Sequence, residues 1–339
     1  MRELFRLLEN EIASGGDAVI VTVVASSGST PRGAGARMLI TKDGRVRGTI
    51  GGGAVEYRSE QMAKQVLAER SSKMEHFMLH KNQVQDLGMI CGGDVNVYFR
   101  YIPAGGEGII AVCRRIEALF ENGEQSWLIC ETSGEGGIAV YGKKSGLLGM
   151  NVPKSVLEGL TAHGGSVTAE GKSYYCETLT RAGRVYIFGG GHVAQALVPV
   201  LAPLDFRCVV LEDREDFARA ELFPGVEKTM LIDNSRTADF VTVTEDDWVC
   251  IMTRGHKDDR IVEEQALRTP AHYIGVIGSA RKTAGVFAQM RENGFTDEDF
   301  QRITTPIGLP IKAETPAEIA VSIAAQLVLD RAERDKAGK

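Results

Sequence analysis

At 339 residues, with 43% hydrophobic and 25% charged positions, the chain has an ordinary globular composition and length enough for two domains. A net charge of −6 with no Lys/Arg run argues against nucleic-acid partners, and no apolar window approaches the length of a membrane span. Six cysteines lie far apart without a C-x-x-C pair, which argues against a disulfide scaffold or structural zinc and points to reduced thiols in the cytoplasm.

Residues 2–13 place Leu4, Phe5, Leu7, Leu8 and Ile12 on one side at helical spacing, an amphipathic helix rather than a signal peptide. Strands are expected over 18–24, 37–41 and 45–50, the last two joined as a hairpin by Lys42-Asp43-Gly44. In the loop 26–35, Arg32 reads either as a solvated residue or as a planar clamp for a phosphate. At Gly51-Gly52-Gly53 the apolar period becomes helical, and Val55, Ser59, Met62 and Val66 mark one face of a helix running to about Arg70. The three glycines read as a turn needing positive φ or as an anion cradle. Glu56, in the first turn of this helix, reads as a carboxylate favoured by the helix dipole or as an acid catalyst.

A further glycine loop, Asp86–Asp94, holds Cys91, Gly92 and Gly93 and feeds the alternating strand Val95, Val97, Phe99, Tyr101. Cys91 reads as a small buried residue or, because bare glycines offer little to bury it, as an available thiolate. The other five cysteines fall in apolar strand or helix patterns and read as structural. Pro103–Gly108 has the composition of a hinge. A helix over 109–122, strands over 127–131, 137–141 and 173–179, and a short helix after Pro153 follow. Residues 105–180 show no chemistry of their own and read as a structural extension of the first domain, placed at 1–182.

From Arg184 strand and helix patterns alternate, which predicts a parallel sheet. Strands are expected over 184–188, 207–212, 228–232, 247–252 and 272–277, and helices over 192–202, 258–268, 280–293 and 316–333. The last helix has Thr315 as N-cap, Pro316 at its first position and Glu318 three after the cap. The stretch RVYIFGGGHVA, Arg184–Ala194, is a strand, a glycine turn and a helix start with G-x-G-x-x-A spacing. Gly189 allows the tight turn, Gly190 and Gly191 let a ligand approach the backbone, and Ala194 lets the helix pack on the strand. The free N–H groups of the helix start favour a phosphate, with His192 beside it. Glu212 and Asp213 end the second strand, where a dinucleotide fold puts the carboxylate for a ribose hydroxyl. After the fourth strand, His256 with Asp258 and Asp259 reads as a metal or catalytic group, or as a polar loop capping a helix at Asp258. The fold class is α/β: a C-terminal Rossmann-like parallel sheet over 183–334 and an N-terminal α+β domain with glycine-rich loops.

Seven blocks now stand in series: GSTPRGAGARM (28–38), GTIGGGAVE (48–56), CGGDVNV (91–97), FGGGHVA (188–194), TRGHKDD (253–259), IGVIGS (274–279) and IGLPIKAETPAEIA (307–320). Together they resemble the XdhC/CoxI family, accessory factors of xanthine dehydrogenase and related molybdenum hydroxylases, in that family's order and over residues about 18–330. The resemblance implies an N-terminal domain plus a C-terminal Rossmann domain. It also implies a chaperone that binds the molybdenum cofactor (molybdopterin), protects it during sulfuration and inserts it into an apo molybdenum hydroxylase. Two positions depart from the family pattern: Glu212 where Asp is usual, and Lys312 where Gly is usual.

The residues suit such a cofactor. A helix N-terminus suits its phosphate, glycine loops suit a flat ring pressed to backbone, and a Cys91 thiolate suits a molybdenum contact. The expected assembly is a homodimer that meets the apo-hydroxylase and a cysteine desulfurase-type sulfur donor. Two other classes stay open: an NAD(P)-dependent oxidoreductase using the Rossmann domain, and a nucleotide-sensing regulator without cofactor delivery.

Overall fold

Residues 1–28, 33–78, 93–133, 136–278 and 280–337 are described by the structure, a computed structural model, and they divide into two units, Met1–Arg181 and Ala182–Ala337. In the first, helix α1 (Arg2–Ala13) buries Leu4, Phe5, Leu8 and Ile12, the residues that recur at helical spacing. Strand β1 (Ala18–Gly28) is apolar on both faces, because both are covered. Ala18 and Ile20 join the core beneath α1, while Val19, Val21 and Val23 face the other way. Strands β2 (Arg37–Thr41) and β3 (Gly44–Thr49) form the expected hairpin. Helix α2 (Gly53–Glu69) then lays Val55, Ala63 and Val66 on the second face of β1. With β4 (Lys73–Met78) and β5 (Gly93–Ile102) these strands make an antiparallel sheet of order β3-β2-β1-β5-β4.

The segment Pro103–Gly108 is not a hinge. Gly105 N donates to the Ile12 carbonyl oxygen at 3.0 Å and Ala104 N to Asp17 Oδ1 at 2.8 Å, so backbone donors pin the turn to the end of α1. Helix α3 (Glu107–Asn122) follows, then β6 (Ser126–Glu131), β7 (Ile138–Gly142), β8 (Gly146–Gly149), the short helix α4 (Lys154–Glu158), β9 (Gly165–Ala169) and β10 (Lys172–Thr180). The strands form a second antiparallel sheet, β8-β7-β6-β10-β9. Val112, Ile116, Leu128, Val140 and Leu179 share one apolar cluster with Leu4 and Phe5, so this stretch has its core in common with the first sheet.

The second unit runs β11 (Val185–Phe188), α5 (His192–Leu201), β12 (Cys208–Glu212), β13 (Lys228–Leu231), β14 (Trp248–Ile251), α6 (His256–Leu267), β15 (Tyr273–Val276), α7 (Ala280–Glu292), α8 (Asp297–Phe300), β16 (Ile303–Thr304) and α9 (Pro316–Ala337). The six strands are parallel in the order β13-β12-β11-β14-β15-β16. Residues of α5 and α9 pack on one face and residues of α6 and α7 on the other, which is why β11, β14, β15 and the first four residues of β12 read as unbroken apolar runs. The chain reverses its strand order between β11 and β14, the switch point at which such sheets bind ligands. Helix α9 starts as its sequence predicts: Thr315 Oγ1 accepts from Glu318 N at 3.3 Å, and Glu318 Oε2 accepts from Thr315 N at 2.9 Å.

The five described cysteines are all buried. Burial pushes the thiols of Cys113, Cys176 and Cys208 up to about 12, which keeps them protonated and inert. Cys208 lies in the core under α5. Cys208→Ser should therefore cost about 1–3 kcal/mol of stability, seen as a lower melting temperature, because it puts a hydroxyl into apolar surroundings.

Candidate cofactor-binding site

Where β11 ends, the chain must turn sharply to enter α5. Gly189 takes φ 110°, and a Cβ there would stand 2.3 Å from the Met252 carbonyl oxygen, so only glycine serves. A Cβ on Gly190 would meet the Phe217 carbonyl oxygen at 2.6 Å. Gly191 differs: φ is −70° and its Cβ position has nothing within 4 Å. The fold fixes the first two glycines, while the third opens onto free space. Gly191 is the N-cap of α5, and among the described residues no side chain caps it, which leaves first-turn N–H groups for an anion. His192 is the first helical residue and is exposed, while Ala194 is fully buried against the sheet.

Glu212 braces this turn. Its carboxylate accepts from Gly190 N at 2.6 Å, from Asp213 N and Arg214 N at 3.1 Å each, and from Arg214 Nε at 2.7 Å and Nη2 at 2.8 Å. The residue is 2% exposed. Burial opposes its ionisation, but the donors from Arg214, Asp213 and Gly190 outweigh it and hold the carboxyl down at about 2. The expectation that Glu212 faces a ribose is thereby revised: both its oxygens are committed to the loop. Asp213, with its side chain 41% exposed, is the carboxylate presented at the strand end. The adjoining Glu212 carboxylate, then burial, pushes the Asp213 carboxyl up.

At the carboxyl end of β14, Thr253 donates to Asp259 Oδ1 from N at 3.0 Å and from Oγ1 at 2.6 Å. Helix α6 begins at His256, two residues before the expected start, and buried Asp259 rather than Asp258 secures the loop. A carboxylate in the first helical turn can reach back to the approaching strand. The His256 side chain lies outside the described atoms. Gly189–Gly191, His192, Glu212, Asp213 and the start of α6 are therefore placed at the carboxyl ends of β11, β12 and β14.

The first unit repeats the device. Gly51, Gly52 and Gly53 hold φ of 125°, 77° and 65°, a turn that side-chain-bearing residues rarely adopt. Glu56 accepts from Ile50 N at 3.0 Å and Gly52 N at 3.1 Å, and from Thr49 Oγ1 and the Arg45 guanidinium. Burial again opposes ionisation, and the donors from Thr49, Gly52, Ile50 and Arg45 lower its pKa overall. Two amides of an anion cradle are thus already filled by the chain's own carboxylate, and Glu56 is held ionised. In both units a buried glutamate, an arginine and the middle glycine's N–H form one brace.

Arg214 and Arg45 were not singled out from sequence. Their one signal was an arginine within reach of a strand-end or helix-start glutamate. Arg32, Cys91 and Gly92 lie outside the described residues, and Gly93 opens β5 opposite Gly28. Lys312 holds φ 61°, so where glycine is usual a side chain sits on a left-handed backbone at a cost of about 1 kcal/mol. Among the described residues no group of three or more His, Cys, Asp or Glu could hold a metal, and no helix is long and apolar enough to cross a membrane.

The fold and site define a two-part protein with a Rossmann-like unit that offers a glycine turn at its switch point. Residues 185–327 match the family described as the XdhC Rossmann domain, and residues 11–78 match the XdhC and CoxI family. The chain belongs to the XdhC/CoxI family. It is 25% identical over 307 residues to the uncharacterised protein YqeB of Escherichia coli K12, covering 90% of this chain but 42% of YqeB. A Bacillus subtilis protein described as a probable xanthine dehydrogenase component is 23% identical, with 93% of each chain covered. The molybdenum cofactor insertion chaperone PaoD of Escherichia coli K12 is 21% identical, covering 99% of this chain and 90% of PaoD. A crystal structure described as a xanthine dehydrogenase from Bacillus halodurans shares the fold, with a TM-score of 0.79 at 23% identity over 99% of this chain and 97% of that one.

Proposed function

We propose that this protein is a maturation factor for a molybdenum hydroxylase of the xanthine dehydrogenase type, which binds the molybdenum cofactor and delivers it to the apo-enzyme. The observation that carries this reading is the turn Gly189–Gly191: it is held rigid by Glu212, open only at Gly191, and followed by an uncapped helix start. A likeness to PaoD along 99% of the chain supports it.

The residues present fit molybdopterin. The first turn of α5 suits its phosphate, the open Gly191 suits a flat ring laid against backbone, and Asp213 offers an acceptor to its polar edge. The bound cofactor supplies the redox-active molybdenum centre that the client needs, and this chain holds and shields it. The described thiols are buried and pushed up in pKa, so none suits a soft metal, and Cys91 is the thiol assigned to molybdenum. The oxidoreductase reading rests on the glycine turn and the strand-end carboxylates, of which Glu212 has its oxygens filled and Asp213 is the one presented.

The test is reconstitution. Protein from cells that make molybdopterin is expected to carry that cofactor, identified by mass and absorbance, and to activate the apo-hydroxylase. Cys91→Ser should keep its melting temperature yet fail to activate the client, since a serine is a harder and far less acidic ligand. Cys208→Ser should lose stability but, once folded, still deliver. A bound nicotinamide with catalytic turnover would overturn the proposal. Activation by Cys91→Ser equal to that of the unmodified protein would leave the site to the glycine turns.

A further inference from the structure

Among the described residues, one guanidinium on β5 stands without a counter-ion at the edge of the stretch 105–180. Arg100, on β5, lines a cleft of about 320 Å³ whose other walls include Ile102, Ile109, Ile138 and Met150, with Gly106 and Gly108 at the start of α3. Its Nε is buried and unpartnered, and among the described residues no carboxylate pairs with the group. On its inner side Arg100 shares a void of about 10 Å³ with Arg37, Tyr98 and Cys130. The Arg37 side chain is 3% exposed and pairs with Glu177, yet its Nη2 is also unpartnered. Glu131, the other carboxylate nearby, pairs with Lys172. Among the described residues one carboxylate, Glu177, therefore serves the two guanidinium groups, and a net positive charge is left in partly dehydrated surroundings, which is costly without an anion.

We propose that this cleft is a second ligand site, which binds a small monocarboxylate with a compact apolar body through Arg100. The void holds a single water at most, so the ligand belongs in the cleft. The planar fork of arginine matches a carboxylate, and the isoleucine and methionine walls match an apolar body. The charge selects the same class: one negative charge completes the Arg37, Glu177 and Arg100 group. A phosphate monoester brings nearly two, and Arg100 is the one cation among the described residues in the cleft's walls. Helix α3 starts at the cleft with Gly106 as an N-cap that no described side chain caps, and its dipole adds to the attraction, offset in part by exposed Glu107. The site uses none of the residues of the glycine turns and stands whether or not the protein handles molybdopterin.

The test is titration of the full-length protein with benzoate, followed by calorimetry and ligand-observed NMR. Saturable binding of one benzoate per chain is expected, with neutral benzamide and with phenyl phosphate each weaker by about tenfold or more. Arg100→Met, which keeps the length of the side chain and removes its charge, should weaken benzoate by at least about tenfold without lowering the melting temperature. Gly108→Leu checks the place rather than the charge. A Cβ there has nothing within 4 Å, so the leucine can fill the cleft without disturbing α3, and benzoate binding should fall likewise. Binding that survives either substitution, or no saturable binding up to about 10 mM, would overturn the proposal. So would a clear loss of melting temperature in Arg100→Met, because it would mark the guanidinium as part of an ion pair of the fold.

Discussion

Gly191→Val is expected to fold with an almost unchanged melting temperature and to copurify with little or no cofactor. The backbone there, φ −70° and ψ −175°, is extended and accepts a β-branched residue, and the new side chain enters open space. That space is where a ligand meets the turn, so the loss should exceed about 100-fold in affinity. Gly189→Ala should do the reverse. With φ 110° and a Cβ position 2.3 Å from the Met252 carbonyl oxygen, it should destabilise the second unit by roughly 3 kcal/mol or more. Thermal melts and the molybdopterin content of the two variants separate the effects. Undiminished cofactor in Gly191→Val would make the turn architectural only.

Glu212→Gln should remove the brace and with it this residue's share of the acid sensitivity of the second unit. The folded-state pKa, about 2, lies below the ordinary 4.5, so the carboxylate's contribution is fully present above 4.5 and fades as pH falls from there towards 2. The gap corresponds to about 3 kcal/mol at neutral pH. Glutamine keeps the volume and one acceptor for Gly190 N, but turns an amide NH₂ towards Arg214, so most of that stabilisation should go. Urea unfolding of both proteins as a function of pH checks this. Their difference should be constant above about pH 5 and shrink towards pH 2–3. A difference that stays level down to pH 3 would show that Glu212 is not held ionised by its partners. Ligand affinity should drop only through the softened turn, because the carboxylate is not itself exposed.

The parallel sheet was legible because strands covered on both faces are apolar along their length: Val185–Phe188, 208–211 and Trp248–Ile251 are such runs, each closed by a turn. Strands β4 and β9 lie at sheet edges with mostly exposed or half-exposed residues, and β16 has two residues, so none carries a usable pattern. Pro103–Gly108 misled because proline and glycine signal a turn but not its mobility, and the partners on Ile12 and Asp17 lie far away in sequence. In the site, the spacing of Gly189, Gly191 and Ala194 disclosed a binding turn. Arg214 stayed hidden because Glu212-Asp213-Arg214-Glu215-Asp216 looks like a solvated charged loop, and only the fold shows that the first carboxylate is buried and forked to the arginine. Arg100 was hidden in the same way, as one charged residue in an alternating strand.

The brace shared by Gly52 and Gly190 bears on how the proposed delivery of a cofactor would end. A loop shaped by its own carboxylate has the same form laden and empty, so loading needs no loop to be ordered and unloading needs none to be opened. Under the proposed function, transfer is then a contest between two docking places, decided by the greater grip of the recipient and by how long the two proteins stay in contact.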